Sequence, residues 1–212
     1  MYQPAQFRED DLAVQQALIR AHPFGLVISS GPEGVLADAV PFLLHAEEGE
    51  RGILRCHLSR ANPHWQALQA SPDVLVVFQA AEHYITPSWY PSKLEHGKTV
   101  PTWNYAMVQV RGGARLNHDA AWLHTHVTAL SAMQEDGRSQ PWAVSDAPDA
   151  FVAAQLRGIV GVEIEIAEIA GKWKASQNRP PADRAGVLRG LLAEGSPEAA
   201  AMAAMVKDRN GL

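Results

Sequence analysis

Cysteine is nearly absent from this sequence of 212 residues, which contains only Cys56. An internal disulfide framework is therefore excluded, and a single thiol is typical of proteins in a reducing cytoplasm. No stretch stays apolar over the roughly 18 residues that a membrane-spanning helix needs. The segment MYQPAQFREDD has no basic region followed by an apolar run, so we expect no signal peptide. These absences predict a cytoplasmic protein that has no contact with a membrane.

Positive charge is also scarce. Lys and Arg number 18 against 23 Asp and Glu, which gives a formal net charge of -5. A protein that holds DNA by itself usually has a basic face and often a basic balance, so direct DNA binding is disfavoured. Because 47% of the residues are hydrophobic, the chain can build a core and is not expected to be disordered.

Several motifs of catalysis and metal binding are missing from the sequence. It has no HExxH, no GxSxG, no GxGxxG and no P-loop. His124 and His126 are two residues apart on a predicted helix, where they face different ways and cannot easily share a metal ion. Cys56 and His57 are adjacent on a predicted strand and face opposite sides, so we expect Cys56 to be a buried apolar residue. The sequence therefore predicts no metal site and identifies no catalytic residue.

The sequence predicts short strands, mostly consecutive, with helices inserted between them. The predicted strands are FGLVISS, VLADAVPFLLH, GILRCHL, VLVVFQA, YAMVQVRGGARL and VGVEIEIAEI. The predicted helices are EDDLAVQQALIRAHP, NPHWQALQA, DAAWLHTHVTALSAMQED, PDAFVAAQLRG and two Ala-rich segments near the C-terminus. We interpret GPEG as the turn of a hairpin and SKLEHGKTVPTWN as a polar loop.

This order of elements predicts the fold class. Strands and helices do not alternate regularly, which disfavours a doubly wound parallel sheet and favours a closed antiparallel barrel with peripheral helices. We therefore predict a β-rich α+β protein. Residues 1–180 are assigned to the barrel domain, and residues 181–212 to a C-terminal helical segment packed on it.

One segment has the composition of a phosphate site. HLSRANP supplies Ser59 and Arg60, followed by a helix start that Asn62 can cap and Pro63 can open. Hydroxyl groups, guanidinium groups and backbone N–H groups at a helix start all bind phosphate. The alternative is a capped helix with an exposed arginine, and the spacing alone does not decide between the two.

Two further segments are rich in aromatic and polar residues. Trp89, Tyr90, Trp103 and Tyr105 lie in or beside Pro-punctuated loops, where aromatic side chains can bracket a flat ring. They can equally pack in the core or at a dimer interface. The run KWKASQNR places many hydrogen-bond donors directly after a strand, and its simpler interpretation is a solvated turn.

The sequence resembles the PaiB-like family, described as FMN-binding negative transcriptional regulators. The resemblance rests on MYQPAQF, AHPFGLVIS, AVPFLL, HLSRANPHW, HYITPSWY, VPTWNYAMVQVRG, LRGIVGVEIEI and GKWKASQNRPPADRAGV, in this order along nearly the whole chain. The resemblance implies an FMN-binding split β-barrel of Greek-key-like antiparallel topology. It also implies a homodimer with the flavin at the interface between the subunits.

The resemblance also suggests which residues bind FMN. The HLSRANP segment corresponds to the family's phosphate-binding element, the TWNY segment to a strand entrance near the isoalloxazine ring, and KASQN to the family's K-x-S-Q-N motif. The implied cofactor-binding residues are His57, Ser59, Arg60, Asn62, Thr102, Trp103, Asn104, Tyr105, Lys174, Ser176, Gln177 and Asn178. Ala175 stands where the family more often has Leu or Met.

These observations leave three hypotheses of function. The first is a homodimeric FMN-binding protein that acts as a negative transcriptional regulator or redox sensor, with any repression indirect. The second is an FMN-dependent oxidoreductase, either a flavin reductase or an oxidase, whose small-molecule substrate the sequence does not identify. The third is a barrel that has lost the flavin and serves as an interaction module.

Overall fold

The structure is a computed structural model that describes residues 1–31 and 34–212. Pro32 and Glu33, at the centre of the predicted GPEG turn, lie outside the described residues. On either side of them the chain forms the predicted hairpin. Its two strands pair antiparallel, with Phe24 opposite Pro41 at one end and Gly31 opposite Gly34 at the other.

The helices and strands have the following bounds. The strands are β1 Arg8–Glu9, β2 Phe24–Gly31, β3 Gly34–Pro41, β4 Leu43–His45, β5 Ile53–Ser59, β6 Asp73–Ile85, β7 Thr102–Asn117 and β8 Ile159–Lys174. The α-helices are α1 Leu12–Ala21, α2 His64–Ala70, α3 Ser92–His96, α4 Ala120–Glu135, α5 Asp149–Arg157, α6 Pro181–Glu194 and α7 Pro197–Asn210. Short 3-10 turns occupy Ala5–Phe7, Pro87–Trp89 and Val144–Asp146.

The strands form one sheet in the order β3-β2-β6-β7-β8-β5-β4, and β1 pairs with β8. The pairs β1–β8, β2–β3, β2–β6, β4–β5 and β5–β8 are all antiparallel. Long connections join several neighbouring strands, as predicted for a sheet in which helices are inserted between consecutive strands. In the described ranges 1–31 and 34–212, the helices are too short or too polar to cross a membrane.

The chain divides into two compact units. The first unit contains residues 1–18, 79–108 and 170–212, and the second contains residues 19–78 and 109–169. Strands β6, β7 and β8 contribute residues to both units. In the second unit, Val162, Ile164 and Ile166 of β8 are buried while Glu165 is exposed, which confirms the alternation read from the sequence.

The core of the first unit contains both C-terminal helices. Its buried members are Ile85, Tyr90, Ala175, Val187, Leu191, Ala199, Met202, Ala203 and Val206. Pro181 and Pro197 stand at the first positions of α6 and α7, where the missing N–H group costs nothing. The small alanine side chains of α7 let this helix pack closely against α6 and the residues around Tyr90.

Two expectations about secondary structure are wrong. The predicted strand VLADAVPFLLH is interrupted at Phe42, which is 1% exposed and contacts Phe78 edge-on, so burial of this ring separates β3 from β4. The predicted loop SKLEHGKTVPTWN contains the helix α3. Its first residue, Ser92, donates through its backbone N–H and its hydroxyl group to the carboxylate of the buried Asp183, a contact that local sequence does not encode.

Candidate functional site

Ser59 is the last residue of β5 in the second unit, and Arg60 follows it. The Arg60 guanidinium donates to the carbonyl oxygens of Arg157 (2.9 Å) and Ile159 (3.0 Å). These bonds fix the guanidinium but leave some of its N–H groups available, because arginine carries five. The Ser59 hydroxyl oxygen accepts from the Ala61 N–H at 3.3 Å, so its own hydrogen can still be donated.

Asn62 and His64 anchor the start of α2 to the β2–β3 hairpin. The Asn62 side chain accepts from the His64 backbone N–H at 2.9 Å and donates to the Asp38 carboxylate at 2.9 Å. His64 Nδ1 lies 2.7 Å from the same carboxylate, and His64 Nε2 lies 2.8 Å from the Ser29 hydroxyl. Asn62 does not occupy the predicted cap position, because α2 begins at His64 and Pro63 precedes it as the cap residue. The bond from the His64 N–H to Asn62 closes a turn just before the helix instead.

The hydrogen bonds of this network run in the same direction as those of a Ser–His–Asp catalytic triad. Because the carboxylate of Asp38 accepts from Nδ1–H of His64, Nε2 becomes the acceptor and the Ser29 hydroxyl the donor. The hydrogen bond from Asn62 lowers the pKa of Asp38 and keeps its carboxylate charged. Ser29 is only 5% exposed, however, and its hydroxyl group and both ring nitrogens of His64 are already paired within the network. We interpret the network as a structural link that fixes the HLSRANP segment on the hairpin.

His57 forms a pair with His126 of α4. His57 Nδ1 lies 3.2 Å from His126 Nε2, and the His126 ring stacks on Trp122. Burial lowers the pKa of His57, and burial together with the charges of His57, His45 and Arg55 lowers the pKa of His126 to about 4. Both rings are therefore neutral at neutral pH, and His57 offers a ligand a hydrogen bond rather than a charge.

In the first unit, the predicted TWNY and KASQN segments come together. Lys174, at the end of β8, donates through Nζ to the Thr102 hydroxyl and to the Trp103 carbonyl oxygen, the latter at 2.7 Å. An ammonium group carries three donors, so one remains. Burial, followed by the charges of Lys172 and Arg179, lowers the pKa of Lys174.

A strained residue lies beside this lysine. Ser176 has a φ of 66°, in the left-handed region that residues other than glycine rarely adopt. Its hydroxyl group accepts from Asn104 Nδ2 at 2.9 Å. Asn104 is 0% exposed, and its Oδ1 atom has no hydrogen-bond partner within residues 1–31 and 34–212. Backbone strain together with an unpaired buried acceptor is typical of a binding site.

The remaining predicted residues of the first unit have other surroundings. The Gln177 amide accepts from the Ala175 N–H and donates to the Trp173 carbonyl oxygen, both at 2.6 Å, and so closes its own turn. Asn178 is exposed. The Tyr105 ring faces Lys172, whose Nζ lies 5.3 Å from the ring centre. Gln177 therefore shapes the turn, and one of its N–H hydrogens remains available to a ligand.

The structure thus brings Thr102, Trp103 and Asn104 together with Lys174 and Ser176. His57, Ser59, Arg60 and Asn62 belong to the second unit, where each has the contacts given above. Within the described part of the chain, no three His, Cys, Asp or Glu side chains are grouped to hold a metal ion. Cys56 is buried as predicted, and burial raises the pKa of its thiol.

Sequence reasoning missed the partners of these residues. Asp38, His64, His126 and Lys172 were not predicted, although each contacts or flanks a predicted residue, and neither was Ser29, which contacts His64. One indication was available for Asp38, because it is a lone carboxylate in the otherwise apolar strand VLADAVPF. A partly exposed charge in such a strand, as Asp38 is, gains from a partner. The identity of that partner depends on tertiary contacts.

Comparison with known proteins places the chain in a family. Residues 1–168 match the model of a family described as "Putative FMN-binding domain". A relative from Emericella nidulans, "Uncharacterized protein AN0679", is 32% identical over 244 residues, covering 99% of this chain and 97% of the relative. "Protease synthase and sporulation protein PAI 2" from Bacillus subtilis is 29% identical over 209 residues, covering 99% of this chain and 98% of the relative.

A solved structure supports the fold. The flavocytochrome Anf3 from Azotobacter vinelandii aligns with a TM-score of 0.57 at 16% identity, covering 79% of this chain and 69% of that chain. At this identity the likeness concerns the fold alone. The predicted β-rich α+β class with the flavin-binding split-barrel fold is confirmed, as is the predicted resemblance to FMN-binding PaiB-like proteins.

Proposed function

We propose that the protein is a cytoplasmic redox protein whose bound FMN reacts with a small molecule. The chain belongs to the FMN-binding domain family, which supports this proposal. The observation that carries the proposal is the buried Asn104–Ser176 pair, in which Ser176 is strained and Asn104 Oδ1 lacks a partner among the described residues. The single buried thiol, Cys56, agrees with a cytoplasmic location.

The residues of the first unit fit the ring of FMN. The polar edge of the ring carries hydrogen-bond donors and acceptors, which Asn104 Oδ1 and the remaining donor of Lys174 can match. The flat faces can pack on Trp103 and Tyr84, which are 52% and 44% exposed and contact each other edge-on. When bound, FMN supplies the electron-transfer chemistry, and the protein binds and orients it.

The second unit by itself carries a group of donors that suits a phosphate. The Ser59 hydroxyl and the uncommitted N–H groups of Arg60 are donors, and Arg60 adds a charge that strengthens such hydrogen bonds. His57 is proposed as a neutral hydrogen-bonding residue. Asn62 is proposed to position the segment through Asp38 and His64. Thr102 and Gln177 act by positioning, while Tyr105 and Asn178 remain proposed ligands by family resemblance.

A titration tests the binding site. Addition of FMN to the apoprotein is expected to quench Trp fluorescence, and Asn104→Ala is expected to weaken FMN affinity on the order of tenfold by removing one buried hydrogen bond. Gln66→Ala changes an exposed amide on α2 and serves as the control. Full FMN affinity in a folded Asn104→Ala variant would remove this pair from the site, and a wild-type protein without FMN affinity would refute the proposal.

A second candidate function is regulation of transcription. It is favoured by the relative named for protease synthesis and sporulation, and the net charge of -5 favours an indirect effect. The two candidates differ in their response to reductant. Anaerobic bleaching of the flavin by NADPH or NADH, followed by turnover with an acceptor, supports the redox protein. A promoter gel shift that survives added salt, without turnover, supports regulation by direct DNA contact instead.

A further inference from the structure

His57 and His126 share one hydrogen bond, and its direction determines what His57 can offer a ligand. His57 Nδ1 lies 3.2 Å from His126 Nε2, so one of these nitrogens donates and the other accepts. If His57 donates through Nδ1–H, its Nε2 atom keeps a lone pair, which repels an anion. If His126 donates instead, His57 carries its hydrogen on Nε2 and can donate it to an anion.

The His126 ring is held in place by its neighbours. It is 3% exposed and stacks on Trp122, with the ring centres 5.3 Å apart. Trp122 in turn packs on β8 at Gly161, where a Cβ atom would lie 2.3 Å from the Trp122 ring. Gly161 is the residue of β8 that pairs with His57 of β5. The missing side chain at Gly161 therefore leaves room for Trp122, which brings His126 to the His57 ring.

The buried side of His126 decides the direction of the bond. Its Nδ1 atom is buried and has no hydrogen-bond partner among residues 1–31 and 34–212. A hydrogen on this atom would be a buried donor without an acceptor, and orphaned buried N–H groups are rarer than under-satisfied acceptors. The hydrogen of the neutral His126 ring is therefore assigned to Nε2, from which it is donated to His57 Nδ1.

The surroundings of the pair keep both rings neutral. Burial is the main cause that lowers the pKa of His57 and of His126. Arg55 of β5 lies beside the pair and is bonded to Glu48 and to Glu163 of β8. Both carboxylates are thus paired with a guanidinium and do not draw a proton onto either ring. Two neutral rings share one hydrogen along their bond, as the assignment requires.

His64 has the opposite arrangement in the same unit. Its Nδ1 atom lies 2.7 Å from the Asp38 carboxylate, which can only accept, so the His64 hydrogen is on Nδ1. Its Nε2 atom therefore accepts from the Ser29 hydroxyl at 2.8 Å. His64 provides an internal reference, because its two nitrogens carry the reverse of the protonation assigned to His57.

The second nitrogen of His57 belongs with the donors proposed for the phosphate. His57 and Ser59 are alternate residues of β5, so their side chains leave the strand on the same face, and Arg60 follows directly. Cys56 and Leu58, between and before them, are buried on the other face. In the described ranges, the hydrogen bond of His57 is made by Nδ1, and Nε2 remains available to a ligand.

We propose that His126 is a positioning residue, which holds the hydrogen of His57 on Nε2 and so provides the phosphate of FMN with a neutral donor beside Ser59 and Arg60. His126 does not contact the phosphate itself and acts through His57. The inference rests on the proposed function and adds to it a residue on α4 that the sequence motifs did not identify.

The first test measures the tautomer by nitrogen NMR of the isotope-labelled protein at neutral pH. We expect His57 to carry its hydrogen on Nε2 and His64 to carry its hydrogen on Nδ1, and His57→Asn identifies the His57 signals by their loss. Addition of FMN is expected to shift the His57 Nε2 signal, while riboflavin, which lacks the phosphate, is not. A hydrogen on His57 Nδ1, or a Nε2 signal that FMN does not shift, would overturn the proposal.

The second test compares the affinities for FMN and riboflavin. His126→Phe keeps a flat ring on Trp122 but removes the bond to His57, so we expect it to weaken FMN binding roughly three- to tenfold and to leave riboflavin binding unchanged. His126→Gln can still donate to His57 through its amide and should retain the preference for FMN. His124→Phe makes the matched change at an exposed position of α4 and serves as the control.

The outcomes separate the possible failures. Equal losses of FMN and riboflavin affinity in a folded His126→Phe variant, or no loss at all, would reduce His126 to a structural role. Should His126→Phe fail to fold, the wild-type tautomer and its response to FMN still decide. A wild type that binds no FMN refutes the proposed function, whereas one that binds FMN with the hydrogen on His57 Nδ1 refutes this inference alone.

Discussion

Ser176 shows how one residue can be held in a conformation that its side chain disfavours. A left-handed backbone costs an L-residue roughly 1–2 kcal/mol. Two contacts keep Ser176 in it, the hydrogen bond from Asn104 Nδ2 and the turn bond from the Arg179 N–H to the Ser176 carbonyl oxygen. The hydroxyl group therefore faces the buried amide, and this arrangement is maintained at the expense of stability.

The variants Ser176→Gly and Ser176→Ala separate strain from hydrogen bonding. Both remove the hydroxyl and leave Asn104 Nδ2 without its acceptor, which costs roughly 1–3 kcal/mol. Glycine adopts the left-handed conformation freely, so we expect Ser176→Gly to be more stable than Ser176→Ala by roughly 0.5–1 kcal/mol. Urea unfolding of both variants measures the difference. Equal stability would mean that the backbone relaxes out of the left-handed region.

His126 should make the stability depend on pH. Its pKa is about 4 in the folded protein and near the ordinary 6.5 when unfolded. Between these values the unfolded chain binds more protons, so the free energy of unfolding falls as the pH is lowered from 6.5 to 4. The loss from this residue is on the order of 3 kcal/mol. Urea unfolding at a series of pH values measures it.

The control for this pH dependence is His126→Gln, which keeps a polar partner for His57 but cannot take up the proton. Its free energy of unfolding should fall less than that of the wild type between pH 6.5 and 4. The pKa values of His57 and His45 are also lowered by burial, so part of the slope remains in the variant. Parallel pH profiles for the two proteins would contradict the prediction.

At the scale of elements, the sequence predicted most strands and helices because their patterns are local. The Asp119 cap of α4 and the alternation along β8 are examples, and both are present. The break at Phe42 and the helix α3 were not predictable, because they depend on contacts with Phe78 and Asp183 that are distant in sequence. Local patterns therefore predict elements better than they predict interruptions.

For the candidate site, too, the motifs were predictable from the sequence and the tertiary partners of their residues were not. The motifs TWNY and KASQN were recognisable as sequence, and the structure joins them through the bond between Asn104 and Ser176. The link between Ser29, His64 and Asp38 could not be predicted, since His64 lies 35 residues from Ser29 and 26 from Asp38 along the chain. A motif identifies residue types, while their partners follow from the tertiary fold.

At position 186 in α6, we expect alanine to be less favourable than the glycine that is present. Alanine in a helix interior is normally favoured over glycine by about 1 kcal/mol. A Cβ atom at Gly186 in α6 would lie 2.0 Å from the Trp89 carbonyl oxygen, so the helix would have to move. We expect Gly186→Ala to destabilise the protein by about 1–3 kcal/mol in urea unfolding. Arg189→Ala, an exposed change in the same helix, should stay within about 0.5 kcal/mol.

At the scale of the whole molecule, the candidate site extends beyond the matched family region. The family match ends at residue 168, whereas Lys174 and Ser176 follow it. The PAI 2 relative nevertheless aligns with 99% of this chain. Residues 170–212 also supply most of the buried members of the core around Tyr90. The C-terminal part is therefore integral to the first unit and to any ligand bound there.

Cofactor binding and subunit association should be coupled if the protein is a homodimer with FMN between its subunits, as the family resemblance implies. Coupling is reciprocal, so FMN must strengthen association by the same factor by which association strengthens FMN binding. We expect sedimentation velocity to show a dimer that persists to lower protein concentration with FMN than without it. FMN at about 100 times its Kd should also raise the free energy of unfolding by about 2.7 kcal/mol. Affinity for FMN that is independent of protein concentration across the monomer–dimer transition would contradict the shared site, because a flavin bound within one subunit gains nothing from the second.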